Sequence, residues 1–247
     1  MQETIFLFDV DGTLTPSREK VSREMREFLQ EVRSRVKIGF VGGSDLEKQK
    51  EQLGDDCTEL FDFCFPENGL TFIKNGKKIS SESYLNFIGE KTHGRLVREV
   101  MREFSALPEE EVPKMRGNFL ELRTSMVNIS PVGRTCSREE RREFKALDEK
   151  NKTREGIAGR LREKFPGLTF SIGGEISIDI FPVGWDKTYS IRHLHEEGIK
   201  RIYFFGDMTS PGGNDFEIFS DERVNGCTVT SPEDTIQKVK ELLKTLE

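Results

Sequence analysis

Residues 4–13 read TIFLFDVDGT, an apolar run that ends abruptly in two carboxylates. The part Thr4–Phe8 is short and rich in β-favouring side chains, which is typical of a buried parallel strand. Asp9 and Asp11 follow where the strand ends, and Gly12 permits a tight turn directly after them. The sequence therefore predicts a buried strand whose carboxyl end presents two carboxylates, close enough to share a cation.

The same pattern, a buried strand followed by a polar loop, recurs at two later places. Lys37–Val41 precedes GGSD at residues 42–45, and Arg201–Phe205 precedes Gly206 and Asp207. Because ligands of open α/β sheets gather at the carboxyl ends of the strands, we expect these polar loops to build one site. The other elements expected in this part are a strand near 61–65, a hairpin turn at Asn75-Gly76, and helices at 22–36 (capped by Ser22), 187–195 and 232–246 (capped by Ser231).

The residue types at these strand ends point to phosphate chemistry with a magnesium ion. Asp9, Asp11 and Asp207 offer the hard oxygen ligands that Mg²⁺ prefers, and the ion usually also takes a substrate phosphate. Ser44 could hold a phosphate oxygen, or it could simply cap the helix that follows it. Lys187 could neutralise a phosphorylated carboxylate, although a lysine taken alone is more often a surface residue. Together these residues predict a phosphotransfer site.

The middle of the chain has a different character. Residues 82–107 have helical spacing, and a charged helical stretch opens with a capping-box pattern at Ser137. Residues 119–129 and 168–181 alternate like half-buried strands, the second broken by Gly173-Gly174, which could be a bulge or a hairpin turn. Strands that alternate beside helices indicate an α+β unit of its own. We therefore expect a discontinuous α/β core at residues 1–81 and 184–247, with an inserted α+β domain at 82–183.

The inserted domain carries a basic set that suits a phosphate ligand. Arg123, Arg134 and Arg141 supply guanidinium groups, which bind phosphate in a planar, two-point manner. Each arginine taken alone would be read as solvated. Ser177 and Asp179 share one face of their strand among apolar neighbours, so they require polar partners. Those partners could be sugar hydroxyls or a network within the domain.

Bulk properties narrow the class of protein. The 247 residues include 33% charged and 34% hydrophobic residues with a net charge of −6, which argues against a nucleic-acid or membrane-surface binder. No apolar run approaches the roughly 20 residues that a membrane span requires. The four cysteines have no zinc-ligand spacing, and the first residues lack the basic region of a secretion signal. We expect a cytoplasmic protein with reduced thiols.

Four short motifs occur in an order that resembles the haloacid dehalogenase superfamily. They are the DVDGT loop at 9–13, Ser44, Lys187, and Gly206-Asp207 with Asn214-Asp215. The insertion between the second and third motifs is similar to a type 2 cap domain on a Rossmann-like core. The chain resembles the eukaryotic phosphomannomutase family more closely still, over essentially its whole length. The segments that carry this resemblance are FDVDGTLTPSR, VGGSD, ENGL, RGNFLELR, NISPVGR, SREERREF, FSIGGEISIDIFPVGWDKTY, FFGDMTSPGGNDFEIF and SPEDT.

The resemblance implies a role for each matching residue. Asp9 would be the nucleophile, Asp11 the general acid and base, and Lys187 a catalytic partner, with Mg²⁺ held by Asp9, the Asp11 carbonyl and Asp207. A second, structural cation is implied near Phe219, Asp221 and Val224. One departure is Ser17, where many relatives have a proline. The substrate contacts implied are Arg18, Ser44, Arg123, Arg134, Arg141, Ser177 and Asp179.

The resemblance also implies the reaction and the partners. The expected reaction interconverts mannose 6-phosphate and mannose 1-phosphate through a phosphoaspartate and a hexose 1,6-bisphosphate, which also serves as the activator. Glucose phosphates are further expected substrates, and GDP-mannose synthesis is the expected use of the product. A homodimer through the cap is implied, with Leu96–Phe104 and Phe119 as candidate contacts. The alternatives are a sugar-phosphate phosphatase on the same fold and, less favoured because the acidic motifs are intact, a non-catalytic sugar-phosphate sensor.

Overall fold

The computed structural model describes residues 3–17 and 19–246, and the chain divides into two compact units. One unit combines the chain up to Ser81 with the segment from Gly184 onward, and the other spans Glu82–Val183. The second unit is thus an insertion into the first, as the change in sequence pattern at these positions led us to expect. Of the described helices, none combines the length and the hydropathy that a bilayer span requires.

The helices and strands follow one another in a mixed α/β order. The strands are β1 (Thr4–Phe8), β2 (Lys37–Val41), β3 (Phe63–Phe65), β4 (Thr71–Lys74), β5 (Lys77–Ser81), β6 (Leu120–Leu122), β7 (Val127–Ile129), β8 (Leu168–Gly173), β9 (Ser177–Pro182), β10 (Arg201–Gly206) and β11 (Val224–Thr228). The helices are α1 (Arg23–Arg33), α2 (Leu46–Leu53), α3 (Cys57–Leu60), α4 (Tyr84–Ser105), α5 (Arg138–Asn151), α6 (Thr153–Lys164), α7 (Tyr189–Glu196), α8 (Phe216–Phe219) and α9 (Pro232–Leu246).

The first unit is built on one sheet with the strand order β11-β10-β1-β2-β3-β4-β5. Strands β11 to β3 in this order are parallel, while β4 and β5 form an antiparallel hairpin at the edge. All five residues of β1 are buried, because apolar side chains cover both faces of the sheet. The Rossmann-like α/β core is therefore confirmed, and the loops after β1, β2 and β10 leave the sheet at one edge.

Local signals in the sequence explain where these elements begin. The Ser22 hydroxyl accepts a hydrogen bond from the Met25 amide (3.1 Å) and caps α1, as predicted. The Ser231 hydroxyl accepts one from the Asp234 amide (3.2 Å) ahead of α9. Asn75 has a φ of 48° and Gly76 a φ of 74°, so the predicted turn between β4 and β5 is confirmed.

The inserted unit has an antiparallel sheet with the order β6-β7-β9-β8. The expectation of one strand across residues 119–129 is wrong. The Arg123 amide donates to the Met126 carbonyl (2.8 Å), which closes a turn and folds the segment into the β6–β7 hairpin. Arg123 therefore lies in the turn rather than within a strand. The capping box at Ser137 is confirmed, since Ser137 and Glu140 each bond the other's backbone amide.

Positions with positive φ interrupt the other long segments of this unit. Residues 168–181 turn back at Gly174, which has a φ of 53°, so they form the β8–β9 hairpin. Lys152 (φ 56°) separates α5 from α6, and Gly89 (φ 76°) interrupts α4. Glycine tolerates this backbone region without strain, whereas Lys152 is held there by the helices on both sides.

The apolar stripe on α4 belongs mainly to the interior of this unit. Leu96, Val100 and Phe104 are buried within the chain itself, and Phe119 packs edge-on against Phe104 with ring centroids 6.3 Å apart. A dimer contact through Leu96–Phe104 and Phe119 stays a prediction, and these three side chains are buried within the chain itself. Their period of about four residues is that of a helix packed on its own sheet. Homodimerisation itself stays a prediction.

Candidate active site

Three carboxylates meet at the carboxyl edge of the first unit's sheet. Asp9 directly follows β1, Asp207 directly follows β10, and Asp215 directly precedes α8. One oxygen of each lies within 4.8 Å of the others. Asp9 and Asp215 are buried, and Asp207 is half-buried. This all-oxygen donor set fits a magnesium ion, because Mg²⁺ favours carboxylates together with water and phosphate oxygens.

Lys187 supplies the positive charge of this cluster. Its ammonium group is fully buried and donates hydrogen bonds to Oδ1 of Asp9 and Oδ1 of Asp215. Its backbone is tied to the start of α7, where the Ser190 hydroxyl donates to the Lys187 carbonyl (2.7 Å). Lys187 therefore lies buried at the centre of the carboxylate cluster, and the alternative reading of a surface lysine is wrong.

Burial and charge displace the protonation equilibria here. Desolvation raises the pKa of Asp9 to about 7, helped by the negative charge of Asp215 and opposed by Lys187. Desolvation and Asp215 also raise the pKa of Asp207. Desolvation opposes protonation of Lys187, but the adjacent Asp9 and Asp215 outweigh it and raise the pKa of the ammonium group. The site thus holds a permanently charged lysine between two buried acids.

Asp215 belongs to the Asn214-Asp215 motif, from which the sequence predicted no role for it. Its Oδ2 accepts a hydrogen bond from the Met208 amide (3.0 Å), while its other oxygen accepts from Lys187. A Cβ at Gly206 would lie 2.6 Å from Oδ2 of Asp215, so only glycine fits beside it. The available signal was an acidic residue eight positions after Asp207, directly before the apolar segment that forms α8.

The loop after Asp9 is closed by its own backbone. Gly12 has a φ of 76°, and its amide donates to the Thr15 carbonyl (2.7 Å). A Cβ at Gly12 would lie 2.4 Å from Oδ2 of Asp207, so a side chain there would displace a proposed metal ligand. Thr13 is buried, and its hydroxyl has no hydrogen-bond partner among residues 3–17 and 19–246. An orphaned donor at this position suits a phosphate oxygen.

Asp11 is half-buried on this loop and points toward α2. Its Oδ1 accepts a hydrogen bond from Nε2 of Gln52 (2.8 Å), a residue that the sequence reading did not consider. Gln52 lies in a charged helix, and nothing in the sequence distinguishes its amide from a solvated one. Only the packing of α2 beside the β1 loop reveals the contact.

Ser44 lies on the loop after β2 and is half-buried. It does not cap α2, because the Asp45 carboxylate accepts the Lys48 amide there (2.9 Å). The alternative reading of Ser44 as a helix cap is therefore wrong. The Glu67 amide donates to the Ser44 carbonyl (2.9 Å), which fixes the loop at the same sheet edge as Asp9.

A connected polar network lies in the inserted unit. Nη2 of Arg123 donates to Oε2 of Glu121 (2.8 Å), and Nε of Arg134 lies 3.0 Å from the same oxygen. Arg123 lowers the pKa of Glu121 by hydrogen bonding, and the charges of both arginines add to this effect. Asn128 accepts from Arg134 (2.6 Å) and donates to Asp179 (2.6 Å). Glu121 and Asn128 were missed because an alternating strand pattern does not show which polar residues are paired.

Arg141 joins this network, whereas Ser177 is placed only nearby. Nη2 of Arg141 donates to the Arg134 carbonyl (2.9 Å) from the first turn of α5. Ser177 begins β9, two residues before Asp179, and only 9% of it is exposed. The structure therefore links the three predicted arginines and Asp179, and it leaves Ser177 on the same strand face. Arg18 lies outside the described residues.

The residues predicted for a second cation lie between α8 and β11. Phe219 ends α8, and Val224 begins β11. The Asp221 carboxylate accepts hydrogen bonds from Nε (2.8 Å) and Nη2 (2.6 Å) of Arg223, and this pairing lowers the pKa of Asp221. Both carboxylate oxygens thus already serve Arg223, and the second cation stays a prediction.

Solved structures share this fold at low sequence identity. A haloacid dehalogenase-like hydrolase from Bacteroides thetaiotaomicron superposes with a TM-score of 0.61 at 14% identity, covering 98% of this chain and 100% of that one. A trehalose-6-phosphate phosphatase related protein superposes with a TM-score of 0.54 at 17% identity, covering 98% and 96%. These likenesses establish the fold alone.

Sequence relatives are much closer. The chain is 52% identical to phosphomannomutase of Encephalitozoon cuniculi, covering 98% of this chain and 94% of that protein. It is 51% identical to phosphomannomutase of Saccharomyces cerevisiae (97% and 94% covered) and 48% identical to phosphomannomutase 1 of Homo sapiens (98% and 92% covered). The family model for eukaryotic phosphomannomutase matches residues 25–245. The chain therefore belongs to the eukaryotic phosphomannomutase family, on a haloacid dehalogenase-type core.

Proposed function

We propose that this protein is a phosphomannomutase that interconverts mannose 6-phosphate and mannose 1-phosphate. The observation that carries the proposal is the identity of about half of all residues to phosphomannomutases across nearly the full chain. The arrangement of Asp9, Lys187 and Asp215 supports it, because it places a carboxylate in a desolvated position where phosphoryl transfer can be shielded from water.

Asp9 is the proposed nucleophile. Its Oδ1 is held by Lys187, so its carboxylate has one fixed orientation toward an incoming phosphorus atom. Lys187 also offsets the negative charge that phosphorylation adds to the cluster. Asp9, Asp207 and the Asp11 carbonyl would hold a Mg²⁺ ion, which would reduce the repulsion between carboxylate and phosphate.

Asp11 is the proposed general acid and base. It gives a proton to the leaving sugar oxygen when Asp9 is phosphorylated, and it takes one from the acceptor hydroxyl when the phosphoryl group returns. A hexose 1,6-bisphosphate primes Asp9 and is also the intermediate. Thr13 and Ser44 serve as phosphate contacts. For Thr13 the support is its buried hydroxyl, which has no partner in the described part of the chain.

The intermediate carries two phosphates and must reorient between the two transfers, so a second phosphate contact is required. The arginine network of the inserted unit supports that function, since Arg123 and Arg134 both contact Glu121 and Arg141 donates to the Arg134 carbonyl. Asp179 and Ser177 would bind sugar hydroxyls beside them. Arg18 is proposed as a further phosphate contact.

Residues Phe219, Asp221 and Val224 would hold a structural cation, with the Asp221 carboxylate shared between that cation and Arg223.

Several broader expectations accompany this proposal. A cytoplasmic location, a homodimer through the inserted unit and a supply of mannose 1-phosphate to GDP-mannose synthesis fit the family. Glucose phosphates are proposed as additional substrates, because the guanidinium groups would bind their phosphate equally well.

The test is a coupled assay of the purified protein with Mg²⁺ and a trace of glucose 1,6-bisphosphate. We expect conversion of mannose 1-phosphate to mannose 6-phosphate, slower without the bisphosphate and abolished in Asp9→Asn. Glucose 1-phosphate in the same assay measures the sugar preference. Release of inorganic phosphate without isomerisation would overturn the proposal in favour of a sugar-phosphate phosphatase.

A further inference from the structure

Helix α2 buries two glutamines although its other side chains are mostly charged. Gln49 and Gln52 are 2% and 5% exposed, and they lie three residues apart on one face of the helix. Long polar side chains are seldom buried unless they have a partner. The partner of Gln52 is Oδ1 of Asp11, to which its Nε2 donates a hydrogen bond of 2.8 Å.

The backbone on both sides of this contact is already fixed. The Thr15 amide donates to the Val10 carbonyl (3.0 Å), and the Gly12 amide donates to the Thr15 carbonyl (2.7 Å), so the loop that carries Asp11 is closed on itself. The freedom that remains to Asp11 is mainly rotation of its side chain. The bond from Gln52 restricts that rotation.

The backbone that carries Gln52, the hydrogen-bond donor, is also fixed by hydrogen bonds. The Gln52 carbonyl accepts a hydrogen bond from the Val21 amide (2.8 Å), and the Asp45 carboxylate caps the start of α2. The glutamine therefore extends from a fixed helix toward a fixed loop. Since the two carboxylate oxygens are rigidly joined, holding Oδ1 of Asp11 sets the direction of both.

We propose that Gln52 is a positioning residue that orients Asp11 for proton transfer to and from the sugar oxygen. This inference rests on the proposed role of Asp11 as the general acid and base. Misplacing a catalytic group by about 1 Å costs on the order of 100-fold in rate. We therefore expect removal of the amide donor to lower kcat by about 10- to 100-fold, while KM changes by less than about threefold.

The experiment replaces Gln52 by methionine, which keeps the length of the side chain but cannot donate a hydrogen bond. Gln49→Met is the matched control, because it makes the same change one helical turn earlier, where the side-chain Oε1 of Gln49 has no partner among the described residues. We expect turnover of mannose 1-phosphate to fall in Gln52→Met and to stay within about threefold of wild type in Gln49→Met. An equal loss in both variants would assign the effect to packing of α2 and overturn the inference.

A second measurement distinguishes the loss of Asp11 orientation from a general disruption of the active site. Nitrophenolate leaves without needing a proton, so single-turnover phosphorylation of Asp9 by p-nitrophenyl phosphate does not require an oriented Asp11. Gln52→Met should therefore retain this step while losing the sugar reaction. A loss of both reactions would contradict the inference.

Asp11→Asn distinguishes this inference from the function on which it rests. If Asp11→Asn turned over mannose 1-phosphate like wild type, the role of Asp11 as acid and base would fail. If Asp11→Asn were inactive while Gln52→Met matched wild type, the role of Asp11 would stand and the positioning role of Gln52 would fail.

Discussion

The two charged clusters of this protein differ in burial. In the first unit, the side chains of Lys187, Asp9 and Asp215 are 1%, 5% and 0% exposed. In the inserted unit, the side chains of Arg123 and Arg134 are 39% and 29% exposed, and both pair with one glutamate. The first cluster is desolvated, whereas the second is open to solvent and to a competing anion.

This difference fits the functions proposed for the two clusters. A phosphorylated carboxylate must be kept from water, and burial does this at a cost in desolvation that only complementary charges can offset. A phosphate contact that must bind and release a reorienting intermediate works better with exposed arginines, whose ion pairs are weak and easily exchanged. We therefore expect substitutions in the first cluster to change folding and chemistry together, and substitutions in the second to change substrate affinity alone.

The largest effect is expected for Lys187→Met. This change leaves Asp9 and Asp215 buried without their counter-charge, so we expect a loss of about 3–5 kcal/mol in the free energy of unfolding and of at least about 1000-fold in turnover. Urea titration and the coupled assay measure the two effects. Lys200→Met is the control, because Lys200 pairs with Glu3 at the surface and should change stability by less than about 1 kcal/mol. Equal losses of stability in Lys187→Met and Lys200→Met would contradict the inferred difference between buried and exposed charges.

Arg134→Ala should have the next largest effect, and on affinity rather than folding. Removing its guanidinium takes away a charge-assisted phosphate contact, so we expect KM to rise about 10- to 100-fold. The free energy of unfolding should fall by less than about 1 kcal/mol, since the pair with Glu121 is partly exposed. Arg142→Ala, at an exposed position of α5, is the control for a general loss of positive charge. If Arg134→Ala lowered the free energy of unfolding as much as Lys187→Met, the proposed separation of stability effects from affinity effects would be refuted.

The raised pKa of Asp9 predicts a pH dependence of stability. Because burial raises this pKa to about 7, the native state binds more protons than the unfolded state between about pH 4 and 7, and stability falls as the pH rises through that window. Asp9→Asn removes the buried charge, so in EDTA we expect it to be more stable than wild type at pH 8 by on the order of 4 kcal/mol. The difference in the free energy of unfolding between Asp9→Asn and wild type should decrease toward pH 4. Asp55→Asn, at an exposed position, should show no such trend; a constant gap for Asp9→Asn would count against the raised pKa.

The smallest effect is expected for Glu121→Gln. The Glu121 carboxylate competes with a phosphate for Arg123 and Arg134, so its neutralisation should lower KM about two- to threefold with little change in stability. Steady-state kinetics provides the measurement. Glu143→Gln removes an exposed pair with Lys114 and should leave KM unchanged. A rise in KM for Glu121→Gln would mean that the glutamate orients the arginines rather than competing for them.

Local patterns were sufficient for most of the fold. The buried run Thr4–Phe8 and the matching run Lys37–Val41 became β1 and β2 with the same bounds, because continuous apolar runs that end in polar loops have few other ways to be buried. The pattern failed at residues 119–129, where a tight turn at Arg123 divides the segment into two strands. Alternation predicts which residues share a face, but it does not show where an antiparallel pair turns back.

The site was predictable to the extent that its residues stand in motifs. Asp9, Asp11 and Asp207 were found from their positions after strands, since parallel strands place their carboxyl ends at one edge. Ser44 was ambiguous until Asp45 proved to be the cap of α2. Gln52 could not be found, because a glutamine in a charged helix has no pattern of its own.

The sequence by itself determined most of the strands and helices, the inserted unit and the motif residues of the candidate site. These depend on local physics: the spacing of apolar residues, the caps and turns, and the abrupt end of a strand in a carboxylate. Only the tertiary structure decided that Lys187 lies buried between Asp9 and Asp215, and that Gln52 holds Asp11. Those contacts join residues distant in the chain, and their energies depend on burial, which no local pattern contains.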